Sequence, residues 1–333
     1  MNWIQKKFIN DAGDEVEAVA PFIISASRST DIPAFYSKWF FNRLDKGYVA
    51  WTNPFNQKTQ YVSFDETRFI VFWTKDPRPI FPYLDILDKK NIGYYFQITL
   101  NDYEKEGLEP NVPDLTKRIE TFQDLSQRIG KNRTIWRFDP LLLSATLSID
   151  TLLDKIEFVG DKLHKFTEKL VFSFADINMY RKVVNNLSKS DESFREFSKE
   201  DISIFSNKLS ILNKKWNLIL STCAEDISLN SFGISRNKCI DDELINRLRP
   251  NDKVLCDWLG YKPKSIDLFG LESISDKNLK DKGQRKACGC IISKDIGMYN
   301  TCNHLCAYCY ANSSAKLVQS NLLKHDAFSQ SII

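Results

Sequence analysis

Histidine is scarce in this chain of 333 residues: there are three, at positions 164, 304 and 325. That scarcity argues against a zinc hydrolase built on several imidazoles, and neither an H-E-x-x-H nor a G-x-S-x-G pattern occurs. No G-x-G-x-x-G follows the first hydrophobic run and there is no P-loop, which argues against a dinucleotide-binding or kinase-like domain. Long apolar stretches are also missing; none reaches the roughly 18–20 residues of a membrane span. The opening residues, Met1-Asn2-Trp3-Ile4-Gln5-Lys6-Lys7, carry no long apolar region and no small-residue cleavage site. A cytoplasmic protein with reduced thiols and no membrane partner is therefore expected. Net charge is only +3, from 46 basic and 43 acidic residues, so charge gives no support for a nucleic-acid partner.

What is present is apolar material in a regular order. Hydrophobic residues make up 43% of the chain, enough for a large core, and the 23 phenylalanines read first as core. Short β-branched and aromatic runs alternate with segments of helical periodicity. Strands are expected at 21–26, 48–52, 69–73, 94–100, 134–138, 169–174 and 217–222, with Val254-Leu255-Cys256 as a weak eighth. Helices are expected after Pro33, near 79–90, from Asp114 to Gly130, near 149–165, from Ser198 and from Ser314. Alternating β and α segments imply a parallel sheet with right-handed crossovers. The expected fold is α/β: a (β/α) barrel, TIM-like or partly open. Residues 1–20 read as an N-terminal arm or small hairpin, 21–270 as the barrel, and 271–333 as a cysteine-bearing loop with a closing helix packed on it.

Barrel sites lie at the C-terminal ends of the strands. Polar residues follow the hydrophobic runs there: Arg28 and Asp31, Asn53, Gln97, Thr99 and Asn101, Ser173 and Asp176, and Glu225. Arg137-Phe138-Asp139-Pro140 and Thr74-Lys75-Asp76-Pro77 each put a charged pair directly after an apolar strand. This makes Arg137, Asp139, Lys75 and Asp76 the leading candidates for contact with a charged or zwitterionic ligand. The competing reading is that strand ends are simply where chains become polar and solvated.

Five of the eight cysteines fall between Cys288 and Cys309. Cys302, Cys306 and Cys309 are spaced C-x3-C-x2-C, and Cys288-Gly289-Cys290 lies just upstream. Thiolates are soft ligands that select iron–sulfur clusters, zinc or Cu(I). Electron-transfer cubes take four cysteines, so a three-cysteine loop suits a 4Fe–4S cluster with one iron left open. A zinc knuckle using these thiols with His304 is the alternative. Cys223, Cys239, Cys288 and Cys290 could form a second four-thiolate site, an auxiliary cluster or a structural zinc, unless Cys223 and Cys239 are packing thiols. Cys256 reads as core packing, and His164 and His325 as surface or packing residues. A disulfide framework does not suit cysteines this tightly spaced.

The longer pattern runs through Gly283-Gln284-Arg285, Cys288-Gly289-Cys290, Asp295-Ile296-Gly297, Tyr299-Asn300 and Cys302 to Asn312. From about Pro21 the chain resembles the family called domain of unknown function 1848. The C-x3-C-x2-C loop, with Tyr308 just before its third cysteine, also resembles the cluster loop of the radical S-adenosylmethionine superfamily. That resemblance implies a 4Fe–4S cluster on Cys302, Cys306 and Cys309, S-adenosylmethionine bound at the open iron, and its reductive cleavage to a 5′-deoxyadenosyl radical. It also implies that Tyr308 helps position the cofactor through its backbone, and that a ferredoxin or flavodoxin donates electrons. The superfamily carries this loop after the first strand, whereas here it is near the end of the sequence. A circularly shifted order would restore the arrangement, so the loop is expected to close over the C-terminal ends of the strands. Two other readings stand beside it: a zinc-stabilised binding module, and a 4Fe–4S redox protein that does not cleave S-adenosylmethionine.

Overall fold

The computed structural model describes residues 3–190, 192–261 and 277–333. Twelve strands occur among them: β1 (Ile4–Ile9), β2 (Glu15–Ala20), β3 (Ile23–Ala26), β4 (Tyr48–Thr52), β5 (Thr59–Ser63), β6 (Phe69–Thr74), β7 (Gly93–Thr99), β8 (Thr134–Leu141), β9 (Lys169–Phe174), β10 (Ile219–Thr222), β11 (Ile234–Arg236) and β12 (Lys294–Asp295). They form two sheets. The smaller has the order β1-β2-β5-β4; the larger has the order β11-β10-β9-β8-β7-β6-β3-β12, with every neighbouring pair parallel.

The N-terminal residues form a hairpin rather than a loose arm. Gly13 takes a positive φ at its tip, and the Asn10 side chain accepts hydrogen bonds from the Ala12 and Asp14 amides. The strand expected at 48–52 exists, but it pairs antiparallel with β5 in the smaller sheet. Only residues 53–58 link the two, and a parallel pairing needs a crossover of about a dozen residues or more.

The large sheet is buried on both faces, as all-parallel sheets are. Residues alternate along each strand. Ile24, Ile70, Phe72, Phe96, Trp136, Phe138, Leu170 and Phe172 enter the main core together with the helices. Ile23, Phe69, Val71, Tyr95, Ile135 and Val171 enter a second cluster, which also holds Cys239, Ile240, Cys288, Cys290 and Ile291. The crossover helices begin on side-chain caps: Asp114 for Leu115–Ile129, Ser148 for Ile149–Leu163, and a Ser198–Asp201 capping box for Lys199–Asn213. Gly160 lets the second of these helices meet the Trp216 ring, because a Cβ there would lie 2.3 Å from the indole.

Closure is not seen. Among the described residues no ladder joins β11 to β12, so the parallel sheet is open at one seam. The segment expected as an eighth strand, Val254–Cys256, lies in the helix Lys253–Leu259. The seat beyond β10 goes instead to the short strand β11, and β12 takes the opposite edge, paired with β3. The boundary drawn at residue 270 lies outside the described residues.

Candidate functional site

The C-terminal loop begins directly after β12. Asp295 fixes the strand beside β3 by accepting from Ser25 Oγ at 2.7 Å and from the Arg28 amide at 2.8 Å. Gly297 then lets the backbone lie against β3, since a Cβ there would sit 1.8 Å from Ser27 Oγ. The following residues reach over the C-terminal ends of β3, β6 and β7. Tyr36 Oη donates to the Thr301 carbonyl at 2.5 Å, and Tyr310 Oη donates to the Arg28 carbonyl at 2.8 Å. The Ala307 amide donates to Leu108 O, and His304 Nε2 lies 2.8 Å from Asp31 Oδ2. The loop therefore packs across the C-terminal ends of these strands of the parallel sheet. The helix Ala315–Leu322, capped by Ser314, follows it.

Tyr308 is a further polar anchor of the loop. Its hydroxyl meets Lys75 Nζ at 2.9 Å, Asn101 Nδ2 at 3.0 Å and the Glu109 carboxylate. Glu109 also accepts from Lys75 Nζ at 2.6 Å and pairs with Arg118 at 3.4 Å. Burial opposes ionisation of Glu109, but Lys75 and Arg118 outweigh it and hold the carboxyl below its usual range. Burial likewise opposes the Lys75 charge, and Glu109 outweighs it and raises the ammonium. Glu109 and Arg118 were not legible as site residues. Glu109 lies in an aperiodic connection after β7, and Arg118 reads as part of a helix surface.

Cys302, Cys306 and Cys309 all lie in this loop; Cys306 is buried and the other two are half-buried. Burial raises all three thiols. Asp31, Cys306 and Cys309 add to the rise at Cys302. Cys306 is pushed up to about 12 by burial, against the pull of Lys75. The triad is thus three unpaired soft donors that repel one another when ionised, beside a buried cation. By donor chemistry the residues suit a soft metal or an iron–sulfur cluster. As the side chains stand, no group of three or more His, Cys, Asp or Glu among the described residues is arranged to hold a metal ion. His304 is not free to complete a zinc knuckle: Nε2 faces Asp31 and Nδ1 faces the Asn111 carbonyl at 3.4 Å. His164 and His325 lie at or beyond helix ends and each meets a backbone carbonyl.

The other four sequence candidates among the cysteines come together as well. Cys223 Sγ and Cys239 Sγ are 3.4 Å apart. Cys290 Sγ accepts from the Cys239 amide at 3.2 Å and from the Ile240 amide at 3.5 Å, and Cys288 lies two residues before it. The fifth, Cys256, stands apart and donates only to oxygens, of Asn246, Arg249 and Pro250.

Of the charged strand-end candidates, Arg137 is buried beside this second thiol group. Its Nη1 donates to Gln97 Oε1 and to Cys239 Sγ, each at 3.1 Å, and its Nε and Nη2 hold Asp139. Asp139 also accepts from Ser173 Oγ, and its amide donates to Asn101 Oδ1 at 2.8 Å. Lys75 belongs to the Tyr308 anchor. Asp76 turns to Arg78, in a pair whose cation is well exposed. Arg28 lies over the Trp73 ring at 5.2 Å, close enough to Cys290, Asp295, Cys239 and Tyr310 for their charges to act on it. Its Nη2 is buried without a hydrogen-bond partner. Glu225 accepts from the Phe174 amide at 3.0 Å, and its carboxyl is pushed up to about 7, first by burial.

Among solved structures, a candidate alpha-L-fucosidase from Bacteroides thetaiotaomicron is similar over 56% of this chain and 82% of its own, with 10% identity and a TM-score of 0.27. At that level the likeness carries no functional argument. No curated protein matches. No described helix is long and apolar enough to cross a membrane. One family model matches residues 23–311, which include the parallel sheet and both cysteine groups. The chain belongs to that family, described as a domain of unknown function (DUF1848).

Proposed function

We propose that this protein is an iron–sulfur enzyme of the radical S-adenosylmethionine type, with Cys302, Cys306 and Cys309 as ligands of a 4Fe–4S cluster. The observation that carries the proposal is positional. The three thiols sit on a strand–loop–helix unit, β12, the loop and Ala315–Leu322, whose strand lies at the edge of the parallel sheet next to β3. Counted from that edge, the order β12-β3-β6-β7-β8-β9-β10-β11 starts at the cluster strand and then follows the chain. This is the order expected of a circularly shifted barrel, and we take the fold as a barrel interrupted at one seam.

Bound there, such a cluster would supply one-electron reduction of S-adenosylmethionine at its open iron. The chain's own groups have narrower tasks. Lys75 offsets thiolate charge near Cys306. Tyr308 ties the loop to Glu109 and Asn101. Arg28 carries a buried N–H without a partner, a donor suited to a carboxylate. Tyr308 would orient the cofactor through its backbone, and a ferredoxin or flavodoxin would reduce the centre.

The test is anaerobic purification with iron and sulfide quantitation, followed by electron paramagnetic resonance of the reduced protein with and without S-adenosylmethionine. A spectral shift and release of 5′-deoxyadenosine support the proposal. Iron without a shift sinks the S-adenosylmethionine part and leaves a redox protein. Cys306→Ala should lose the open-iron signal; full iron content in that variant would overturn the ligand assignment.

A further inference from the structure

The second thiol group lies at the one place where the parallel sheet fails to close. Cys223 follows β10 and Cys239 follows β11, whereas Cys288 and Cys290 precede β12. Across the seam there is one backbone hydrogen bond, from the Ile291 amide to the Ile240 carbonyl at 3.1 Å. Beside it Cys223 Sγ and Cys239 Sγ lie 3.4 Å apart, and Cys290 Sγ accepts from the Cys239 amide at 3.2 Å, with Cys288 two residues before Cys290. We infer that Cys223, Cys239, Cys288 and Cys290 bind one zinc ion that staples the open seam between β11 and β12.

Three observations carry this beyond packing. The first is distance. Four thiolates about 2.3 Å from zinc lie about 3.8 Å from one another at the corners of a tetrahedron. A four-iron cube holds its cysteine sulfurs roughly 6 Å apart, because each binds a different iron. A disulfide requires about 2.0 Å. Cys223 and Cys239 are at 3.4 Å, which fits the edge of a single-ion site and neither of the others. As the side chains stand, Cys223 and Cys239 share a thiol–thiol hydrogen bond, with either thiol as donor. Deprotonation would remove that donor and leave a cation to gather the sulfurs.

The second is what points at the sulfurs. Cys239 Sγ accepts from Arg137 Nη1 at 3.1 Å and Asn237 Nδ2 at 3.2 Å. Cys290 Sγ accepts from the amides of Cys239 and Ile240 at 3.2 and 3.5 Å. N–H groups aimed at sulfur are the outer partners that orient and stabilise metal thiolates. Cys256 is the internal control. It is buried too, yet its described side-chain hydrogen bonds run outward, to oxygens of Asn246, Arg249 and Pro250.

The third is charge. Arg28 and Arg137 are both within electrostatic reach of Cys239, and Arg28 of Cys290 as well. Arg137 already holds Asp139, but Arg28 keeps a buried N–H without a partner, and four thiolates on one divalent ion would carry two net negative charges toward it. Gly289 completes the fit. A Cβ there would lie 3.1 Å from Lys238 Cγ, so glycine lets the Cys-Gly-Cys turn meet the 237–239 segment.

The test uses the full chain, purified anaerobically without an affinity metal. Zinc and iron are counted in wild type, Cys288→Ser, Cys223→Ser and Cys306→Ala. About one zinc per chain is expected in wild type and in Cys306→Ala. After a chelator wash, zinc retention should fall at least ~10-fold in the two serine variants. Cobalt(II) exchanged into wild type should give the intense visible bands of tetrahedral thiolate ligation. If the serine variants fail to fold, wild type still decides: four thiols should resist alkylation until zinc is extracted, and protease cleavage near 237–241 should then rise. Wild type without zinc and with freely alkylated thiols overturns the site. Iron lost from Cys288→Ser but kept in Cys306→Ala overturns the single-ion reading in favour of a cube. The triad's chemistry is read separately, by iron in Cys306→Ala.

Discussion

Glu109→Gln should be among the most damaging single changes near the cysteine loop. Glu109 is the buried anion shared by Lys75 and Arg118, and it also accepts from Tyr308 and Asn101; Arg118 otherwise reaches only the exposed Glu104, at 3.9 Å, among the described residues. Glutamine keeps the shape but removes the anion between Lys75 and buried Arg118, leaving Arg118 the distant, exposed Glu104. Removing one partner of a buried ion pair costs about 3–5 kcal/mol, since the remaining charge stays desolvated. At about 2 °C per kcal/mol for a chain of this size, the melting temperature should fall on the order of 6–10 °C. Lys75→Met is the informative partner. It leaves Glu109 balanced by Arg118, with Tyr308 and Asn101 still bonded, so its cost should be about 1–2 kcal/mol. The assay is thermal melting of both variants and the double variant, together with protease sensitivity of the loop. The ordering is the test. If Lys75→Met costs as much as Glu109→Gln, the net-charge reasoning is refuted and the network acts through packing alone.

Other outcomes follow from the same geometry. Glu225 has its carboxyl raised to about 7, so the native state binds that proton more tightly than the unfolded chain does. The residue should therefore lower stability as pH rises from about 4.5 through 7. Melting curves of Glu225→Gln against wild type should diverge upward over that window, and a difference independent of pH would refute the assignment. Gly297→Ala should cost about 1–3 kcal/mol by overpacking Ser27 and should expose the following loop to protease; unchanged melting and digestion would refute this. Asp76→Asn should shift stability by less than about 0.5 kcal/mol, because its partner Arg78 is exposed. Asp139→Asn should cost about 1–3 kcal/mol, because it weakens the hold on buried Arg137. Equal melting temperatures for those two variants would contradict the division between site and surface.

The parallel sheet was legible where strands are long and apolar. Phe69–Thr74 and Gly93–Thr99 are buried along nearly their whole length, and no other element suits such runs. Strand β12 was not legible, because it is two polar residues, Lys294 and Asp295, held by Ser25 and the Arg28 amide rather than by any hydrophobic signal of its own. Tyr48–Thr52 has the composition of a core strand, but the short link to β5 decides its partner. The grouping of Cys223 and Cys239 with Cys288 and Cys290 was legible only as a count of spare thiols. Their contact depends on the path of a chain that separates Cys239 from Cys290 by 51 positions. Asp76 shows the reverse limit: the residue type and position were right for a strand end, but which way it turns is set by Arg78 two residues later.

The pairing of Lys294 with Ile24 has a consequence for synthesis. The seat beside β3 is filled by residues translated 270 positions later. A ribosome working at roughly 5–20 residues per second needs on the order of 15–55 s to make that interval. During that time the nascent chain can complete the hairpin and the interior strands, but the edge next to Ile23–Ala26 stays bare. None of the loop thiols has yet been made. Neither cysteine group is complete on a partly made chain, so loading of any metal must wait until the segment around β12 has been made.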